Sequence, residues 1–276
     1  MNLVVFGPDI ETPLLKQLAR HCDARAIEQI DPAAFRLVEA QRRDGVAELC
    51  DAAGIDYAFV PAKRRLADFG LFVTDMDSTL IDIECIDEIA DQCGKKHQVA
   101  EITEAAMRGE IDFRESLTRR VAQLAGLDAG ALETVFRERL RLNPGAERLL
   151  ATLKANGIVT VLVSGGFTYF TDRLKAQLGF DHAYANTLEV VDGKLTGKVT
   201  GPVVDAQAKA DHLSRIRDQL DLSADRVMAA GDGANDLPMF QAAGFRIAYQ
   251  AKPVLRAQAD CSLRHSGLDA VLKLFA

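Results

Sequence analysis

The 276-residue sequence lacks the features that mark several large classes of protein. Its five cysteines are scattered and odd in number, and no pair has the spacing of a zinc site or of a redox C-x-x-C motif. No apolar run approaches the ~20 residues of a membrane span, and the N-terminus lacks the basic segment of a signal peptide. We therefore expect reduced thiols and a cytoplasmic location.

The chain also has fewer basic residues than acidic ones, with 33 lysines and arginines against 40 aspartates and glutamates. The formal net charge is −7 at pH 7, which argues against nucleic acid or an anionic membrane as the main partner. An anionic small substrate stays open, because a metal ion and a few cationic side chains can reverse the field locally. The composition, 48% hydrophobic and 26% charged, is that of a globular protein of one large or two unequal domains.

Residues 1–66 are predicted to form a small N-terminal domain. Apolar segments and helical periodicity alternate there in the order βαββαβ, the ferredoxin-like pattern that ACT-like domains also have. The predicted elements are strands at 3–6, 25–30, 34–39 and 57–60 and helices at 11–21 and 45–53. Nothing in this segment specifies a ligand, so structural, dimerising and sensing roles all stay open.

The rest of the chain predicts an α/β core. Apolar strands at 71–74, 158–163, 226–230, 246–249 and 259–263 alternate with helices, which indicates a Rossmann-like, doubly wound parallel sheet. A hairpin of strands at 188–191 and 194–199 is expected around Asp192-Gly193.

Residues 84–141 are charged, helical in period and without a strand candidate, and we expect them to form a helical cap inserted into the core of residues 67–83 and 142–276.

Acidic residues follow two of the predicted strands. Asp75 and Asp77 come directly after the strand at 71–74, and Asp232 and Asp236 follow the strand at 226–230. Ligands of open α/β sheets bind at the carboxyl ends of strands. Clustered carboxylates repel each other, and hard oxygen ligands suit Mg²⁺. Together the two clusters predict a divalent-metal site for an anionic substrate such as a phosphate ester.

Two further features fit an anionic ligand. Ser164-Gly165-Gly166 follows the strand at 158–163 and precedes a predicted helix, where a hydroxyl and backbone amides can hold an anion. Lys209 precedes the strand that leads to Asp232 and could offset negative charge when a phosphate meets the acids. Alone, the first feature would be interpreted as an ordinary strand-to-helix turn and the second as a surface lysine.

As an ordered set, these motifs resemble the haloacid dehalogenase-like phosphatase superfamily. The set consists of D-x-D-x-T at 75–79, the serine at 164, the lysine at 209 and G-D-G-x-N-D at 231–236. The resemblance covers about residues 70–265. It implies a Rossmann-like core with a helical cap, Mg²⁺ as cofactor, and phosphoryl transfer.

Local detail is similar to the phosphoserine phosphatase branch of that superfamily. Glu-Cys-Ile-Asp-Glu-Ile at 84–89 and Val-Asp-Ala-Gln at 204–207 carry this likeness. It implies hydrolysis of O-phosphoserine to serine and phosphate, the last step of serine biosynthesis. A homodimer is left open.

The resemblance also implies roles for the acids. Asp75 would be the nucleophile that forms an aspartyl-phosphate, and Asp77 would protonate the departing oxygen and then take a proton from water. Asp75, the backbone carbonyl of Asp77, and Asp232 would hold Mg²⁺, with Asp236 positioning the metal shell through water or hydrogen bonds. Ser164, Gly165 and Lys209 would bind the phosphoryl oxygens, on which negative charge concentrates in the transition state. Asn235 would orient the phosphoryl group or its neighbours.

Substrate choice is expected in the cap. Glu84 matches the family's acid that meets the substrate ammonium, and Arg120 matches the arginine that meets the substrate carboxylate. Met107 and Phe113 would supply apolar cover that excludes water. On their residue types alone, Glu84 could be an ordinary first-turn acid and Arg120 a solvated helix charge.

Two alternatives remain. The first is a phosphatase or phosphotransferase of the same superfamily that acts on another small phosphomonoester. The second is a signalling receiver or binding module, which would also combine an acidic pocket, a phosphorylatable aspartate and a lysine. Receivers are about half this length and need neither the second acid of D-x-D nor a helical insert.

Overall fold

The N-terminal region of the computed structural model, which describes residues 1–275, is a four-stranded antiparallel sheet with two helices. Its elements are β1 (Asn2–Phe6), α1 (Thr12–His21), β2 (Ala26–Asp31), β3 (Ala34–Val38), α2 (Val46–Ala53) and β4 (Asp56–Val60). The strand order is β2-β3-β1-β4, and each neighbouring pair is antiparallel. This arrangement confirms the ferredoxin-like βαββαβ order predicted from the sequence.

The core strands continue the same sheet. They are β5 (Leu71–Thr74), β6 (Val159–Phe167), β7 (His182–Val191), β8 (Lys194–Thr200), β9 (Val227–Gly231), β10 (Phe245–Tyr249) and β11 (Cys261–Leu263). From β11 through β10, β9, β5 and β6 to β7 the strands run parallel, and β8 closes that edge as an antiparallel hairpin with β7. The predicted parallel sheet is therefore confirmed.

Helices cover both faces of this parallel sheet. In β5, Phe72 packs into one buried cluster, whereas Leu71 and Val73 pack into the other, as alternation along a strand requires. The covering helices are α7 (Ala146–Ala155), α8 (Thr168–Leu178), α9 (Ala206–Gln219), α10 (Leu237–Ala242) and α11 (Pro253–Arg256). Burial on both faces explains why the core strands are apolar throughout.

The strand limits differ from the sequence predictions by more than two residues in two places. β7 begins at His182, six residues before the predicted strand, because the small and polar residues of 182–187 lack a clear strand pattern. β6 extends to Phe167 and includes the serine and glycines expected in a turn, with an irregular register between Val163 and Phe167.

The N-terminal sheet joins the core sheet directly. β4 pairs antiparallel with β11, so all eleven strands form one sheet. The carboxylate of Asp56 accepts backbone N–H bonds from Arg264, His265 and Ser266 at 2.6–3.2 Å, and Asp51 pairs with Arg256 at 2.8 Å. These contacts tie the N-terminal region to the last strand. The domain boundaries at 66, 83 and 141 stay predictions.

Residues 84–141 are helical and lie over the carboxyl ends of the parallel strands. They contain α3 (Cys85–Asp91), α4 (Lys96–Met107), α5 (Phe113–Ala122), α6 (Gly130–Thr134) and a π-helical turn at Val135–Arg139. The chain enters this helical segment just after Ile81 and leaves it just before Asn143. The side-chain amide of Asn143 joins the two connections, because it donates to the carbonyl oxygens of Thr79 and Ile81 at 2.9 and 3.0 Å. Across residues 1–275, no helix is both long and apolar enough to span a membrane.

Candidate active site

The two acidic clusters meet at one edge of the sheet. β5 and β9 are parallel neighbours, so Asp75, after β5, and Asp232, after β9, leave the sheet side by side. The backbone N–H of Asp75 donates to the carbonyl oxygen of Ala230 at 3.0 Å, which continues the ladder to the last strand position. The strand register therefore fixes the position of Asp75 beside β9.

A buried lysine holds two of these acids. Lys209, only 1% exposed, places its Nζ 2.6 Å from Asp75 Oδ2 and 2.8 Å from Asp236 Oδ1. Burial lowers the pKa of Lys209, but the two carboxylates more than offset this and raise it above its usual value, so the lysine stays charged. The other oxygen of Asp236 accepts the backbone N–H groups of Asp232 and Gly233 at 3.1 and 3.3 Å.

The close approach of Asp236 explains one glycine of the G-D-G motif. A Cβ atom on Gly231 would lie 2.3 Å from Asp236 Oδ2, which no side chain could tolerate without displacing that carboxylate.

The acid cluster carries more negative than positive charge. Carboxylate oxygens of Asp75, Asp232 and Asp236 all lie within 4.8 Å of one another. Burial and the neighbouring Asp236 raise the pKa of Asp75 well above its usual range, and the same two causes raise the pKa of Asp232 to about 6. A divalent cation would relieve this repulsion, and carboxylate oxygens are the ligands that Mg²⁺ prefers, so the donor set fits that ion.

Asp77 has different surroundings from Asp75. Its Oδ1 accepts the backbone N–H of Cys85 at 2.8 Å, and its Oδ2 accepts the hydroxyl of Ser164 at 3.1 Å. Asp75 Oδ2 instead accepts from Lys209 and, at 3.2 Å, from the amide of Asn235. The D-x-D pair is thus divided between two hydrogen-bond networks.

The glycines after Ser164 allow close packing. A Cβ atom on Gly166 would lie 2.6 Å from Asp77 Oδ2, and one on Gly165 would lie 3.1 Å from the ring of Phe113. The N–H of Gly166 donates to Ser164 Oγ at 2.8 Å, so that amide has a partner within the protein. Ser164 therefore connects Asp77 to the backbone of β6.

The acids face the helical segment across one cavity of ≈ 560 Å³. Predicted site residues from both sides line it: Asp75, Asp77, Glu84, Met107, Phe113, Arg120, Gly165, Asp232 and Asn235. Ser164, Lys209 and Asp236 were also predicted for the site, and they lie behind the cavity wall, where they contact the acids that line it.

Glu84 and Arg120 enter the cavity from the helical side. Glu84 accepts the hydroxyl of Ser78 at 2.7 Å, and its pKa is raised to about 7 by burial of the carboxyl and by the charge of Asp77, although solvent in the cavity reaches the residue. Burial lowers the pKa of Arg120, while Asp87 and Glu84 oppose that shift. An acid and a cation are therefore available side by side for a substrate with both charges.

The structure adds cavity residues that the sequence reasoning missed. Lys252 lines the cavity, its backbone N–H donates to the carbonyl oxygen of Asp232 at 2.9 Å, and its charge offsets part of the rise in the pKa of Asp232. Thr79 donates to Asp232 Oδ1 at 3.4 Å, and Asp87 and Ser116 lie on the helical wall. Thr79 and Asp87 belong to the motifs at 75–79 and 84–89, and Lys252 follows a strand that ends at the same edge of the sheet, whereas Ser116 had no sequence signal.

Comparison with known proteins identifies similar families and structures. Residues 72–241 match the family model described as haloacid dehalogenase-like hydrolase, and residues 3–46 match a domain of unknown function. The phosphoserine phosphatase of Polaromonas sp. is 51% identical over 215 residues, which cover 76% of this chain and 91% of the relative.

Two solved structures are similar over nearly the whole chain. A HAD family hydrolase from Salmonella enterica serovar Typhi has a TM-score of 0.89 at 32% identity and covers 99% of this chain and 98% of its own. A probable phosphoserine phosphatase from Vibrio cholerae has a TM-score of 0.85 at 40% identity, with 99% and 86% covered. The likeness therefore includes the N-terminal strands as well as the core.

Proposed function

Because the chain belongs to the haloacid dehalogenase-like hydrolase family, we propose that it is a Mg²⁺-dependent phosphoserine phosphatase that hydrolyses O-phosphoserine to serine and phosphate. The observation that carries this proposal is a single cavity with an acid cluster on one wall and both Glu84 and Arg120 on the other. The first wall suits phosphoryl transfer, and the second suits a substrate that bears an ammonium and a carboxylate.

The reaction begins with attack by Asp75 on phosphorus, which forms an aspartyl-phosphate and breaks the bond between phosphorus and the serine oxygen. Lys209 and Asn235 orient the Asp75 carboxylate through its Oδ2. Asp75, the backbone carbonyl of Asp77, and Asp232 would hold Mg²⁺, with Asp236 positioning that set, and the bound ion would supply positive charge that neutralises the phosphoryl oxygens.

Asp77 moves the protons. It gives a proton to the departing serine oxygen, and it then takes one from the water that hydrolyses the aspartyl-phosphate. In the protein without substrate, the backbone N–H of Cys85 and the hydroxyl of Ser164 each donate to one of its two oxygens, so its carboxyl group is oriented before the substrate binds. Ser164, Gly165 and Lys209 stabilise the phosphoryl oxygens as their charge develops.

The helical wall selects the substrate. Glu84 binds the ammonium and Arg120 binds the carboxylate, while Met107 and Phe113 cover the reacting group and exclude water. The raised pKa of Glu84, at about 7, reflects nearby acids in a protein without substrate, and a bound ammonium would lower it again.

Phosphate release from O-phosphoserine with and without Mg²⁺ tests the proposal. We expect release that depends on the ion and that is much faster than release from phosphoethanolamine or an aryl phosphate. Equal rates on all three esters would favour a phosphatase or phosphotransferase for another phosphomonoester. A phosphorylated protein that does not turn over would favour a receiver.

Several expectations stay predictions from the sequence. They are the cytoplasmic location, the place of the reaction in serine biosynthesis, the lack of nucleic-acid and membrane partners, and a homodimer.

A further inference from the structure

One face of α5 forms the helical wall of the cavity. Phe113, Ser116, Leu117 and Arg120 all line the cavity, and their spacing of three, four and seven residues places them on one side of the helix. Along this face, Ser116 lies between Phe113 and Arg120. It is the uncharged polar side chain on this face.

The hydroxyl of Ser116 has no hydrogen-bond partner within residues 1–275, although the residue is only 1% exposed. Buried hydroxyl groups in folded proteins nearly always have a partner. A serine or threonine within a helix can donate to the carbonyl oxygen four residues before it. Thr118, on the opposite face of α5, does so to Arg114 at 2.8 Å, whereas Ser116 does not. The unpaired hydroxyl therefore has a ready local partner that it does not use.

Arg120 lies one helical turn after Ser116 on the same face. Its Nε is 3.4 Å from the backbone carbonyl oxygen of Ser116, and no ion pair within 4.0 Å involves its guanidinium in the described part of the chain. A guanidinium and a hydroxyl without strong partners thus lie together on the cavity wall. Both can donate, and a carboxylate accepts from both at once.

From these observations, we propose that Ser116 is a specificity-determining residue whose hydroxyl donates a hydrogen bond to the substrate carboxylate bound by Arg120. This inference rests on the proposed phosphoserine phosphatase activity. The substrate ammonium has a different partner, because Glu84 and Asp87 supply the negative charges of this wall. A substrate without a carboxylate leaves the Ser116 hydroxyl unpaired and gains nothing from it.

The test compares Ser116→Ala with wild type on three esters in the presence of Mg²⁺. They are O-phosphoserine, phosphoethanolamine, which lacks the carboxylate, and the phosphate ester of 3-hydroxypropanoate, which lacks the ammonium. We expect kcat/KM to fall roughly ten- to a hundredfold on the two carboxylate-bearing esters, which is the range for a lost hydrogen bond to a charged group. On phosphoethanolamine it should not change. Ser116→Cys should resemble Ser116→Ala, because a thiol is a weak donor.

Thr118→Ala is the matched control, since it removes a hydroxyl from the solvent face of the same helix, and it should leave all three rates unchanged. The Tm of free Ser116→Ala should equal or exceed that of wild type, because the variant loses a buried hydroxyl that has no partner. A structural role would lower the Tm instead.

Three outcomes would overturn the inference: an equal loss on all three esters, no loss on any, or a loss that follows the ammonium. Failure of the proposed function is distinguishable from these outcomes. If the proposed function were wrong, the wild-type protein itself would hydrolyse phosphoethanolamine at the same rate as O-phosphoserine.

Discussion

The sheet edge and the helical segment above it form opposite walls of one cavity, and their polar groups differ in how completely they are paired. On the sheet side, Lys209 contacts two carboxylates and Asp236 accepts two backbone N–H groups, all in buried positions. On the helical side, within residues 1–275, the Arg120 side chain has one long hydrogen bond to a backbone carbonyl and the Ser116 hydroxyl has none. Met107 is 67% exposed.

The difference separates two tasks. Groups that stabilise developing charge work best when the fold holds them in place before the substrate arrives, because no energy is then spent on reorganisation during the reaction. Groups that recognise a substrate must keep free hydrogen-bonding capacity for it. We therefore expect changes on the sheet side to affect every phosphate ester, and changes on the helical side to affect only esters with the matching charge groups.

The largest effect is expected for Asp75→Asn. The amide cannot attack phosphorus, so Mg²⁺-dependent phosphate release should fall at least roughly 10⁴-fold on every ester. Steady-state phosphate release measures the loss, and circular dichroism checks that the protein stays folded. Asp172→Asn, which changes an exposed carboxylate on α8, is the control and should keep full activity. Retained turnover by Asp75→Asn would refute the nucleophile assignment.

Lys209→Met should be next, and it should affect stability as well as activity. Removing the cation leaves Asp75 and Asp236 buried without their common partner, which costs about 3–5 kcal/mol of unfolding free energy. Activity should fall roughly 10²- to 10³-fold on all esters, because a preorganised charge is lost. Urea unfolding and steady-state kinetics give the two values.

The control for this change is Lys198→Met, which removes an exposed lysine on β8 and should change neither value. If Lys209→Met unfolded at the wild-type urea concentration, the buried lysine would not stabilise the acid cluster.

Arg120→Ala tests the other wall. We expect kcat/KM for O-phosphoserine to fall roughly 10²- to 10³-fold, because the substrate carboxylate loses its cation. The rate on an aryl phosphate should change little. Arg119→Ala is a close control, since this neighbouring arginine pairs with Glu115 on the exposed side of the helix. Parallel losses on both esters would mean that the two walls do not divide the work.

The sheet wall could be predicted from the sequence far better than the helical wall. Short apolar runs that end in Asp75 and Asp232 suffice to bring these acids together, because the carboxyl ends of parallel strands meet at one edge of a sheet. The family assignment from the four ordered motifs is confirmed by the family model over residues 72–241. Glu84 and Arg120 came from the resemblance alone, since charged residues on a helix are solvated by default.

The features that the sequence did not predict depend on distant contacts. The pairing of β4 with β11 joins segments about two hundred residues apart, and no local pattern encodes it. Ser116 and Thr118 both carry a hydroxyl on α5, and within residues 1–275 they differ in the helix face that they occupy and in whether that hydroxyl has a hydrogen-bond partner. The first part of β7 has small and polar residues, so only its neighbours in the sheet make it a strand.

The smallest effect concerns Glu84 in the protein without metal or substrate. Burial and the charge of Asp77 raise its pKa from the ordinary value of 4.5 to about 7. Between these two pH values, the folded protein therefore keeps a proton on Glu84 that the unfolded chain has released. The stability that this proton contributes is fully present below about pH 4.5 and is lost as the pH rises through 7. Glu84→Gln cannot ionise and should escape this loss.

In chelator-treated protein at pH 8, the Tm of Glu84→Gln should therefore exceed that of wild type by roughly 1–3 °C, and the difference should shrink towards pH 4.5. The effect is small because solvent in the cavity screens the charge. Glu138→Gln, an exposed glutamate of the same helical segment, should show no such dependence on pH. A Tm difference that grew on acidification would mean that Glu84 is stabilised as the anion in the free protein. The helical wall would then hold a partner for Glu84 before the substrate binds, and the contrast between the walls would be weaker than the contacts indicate.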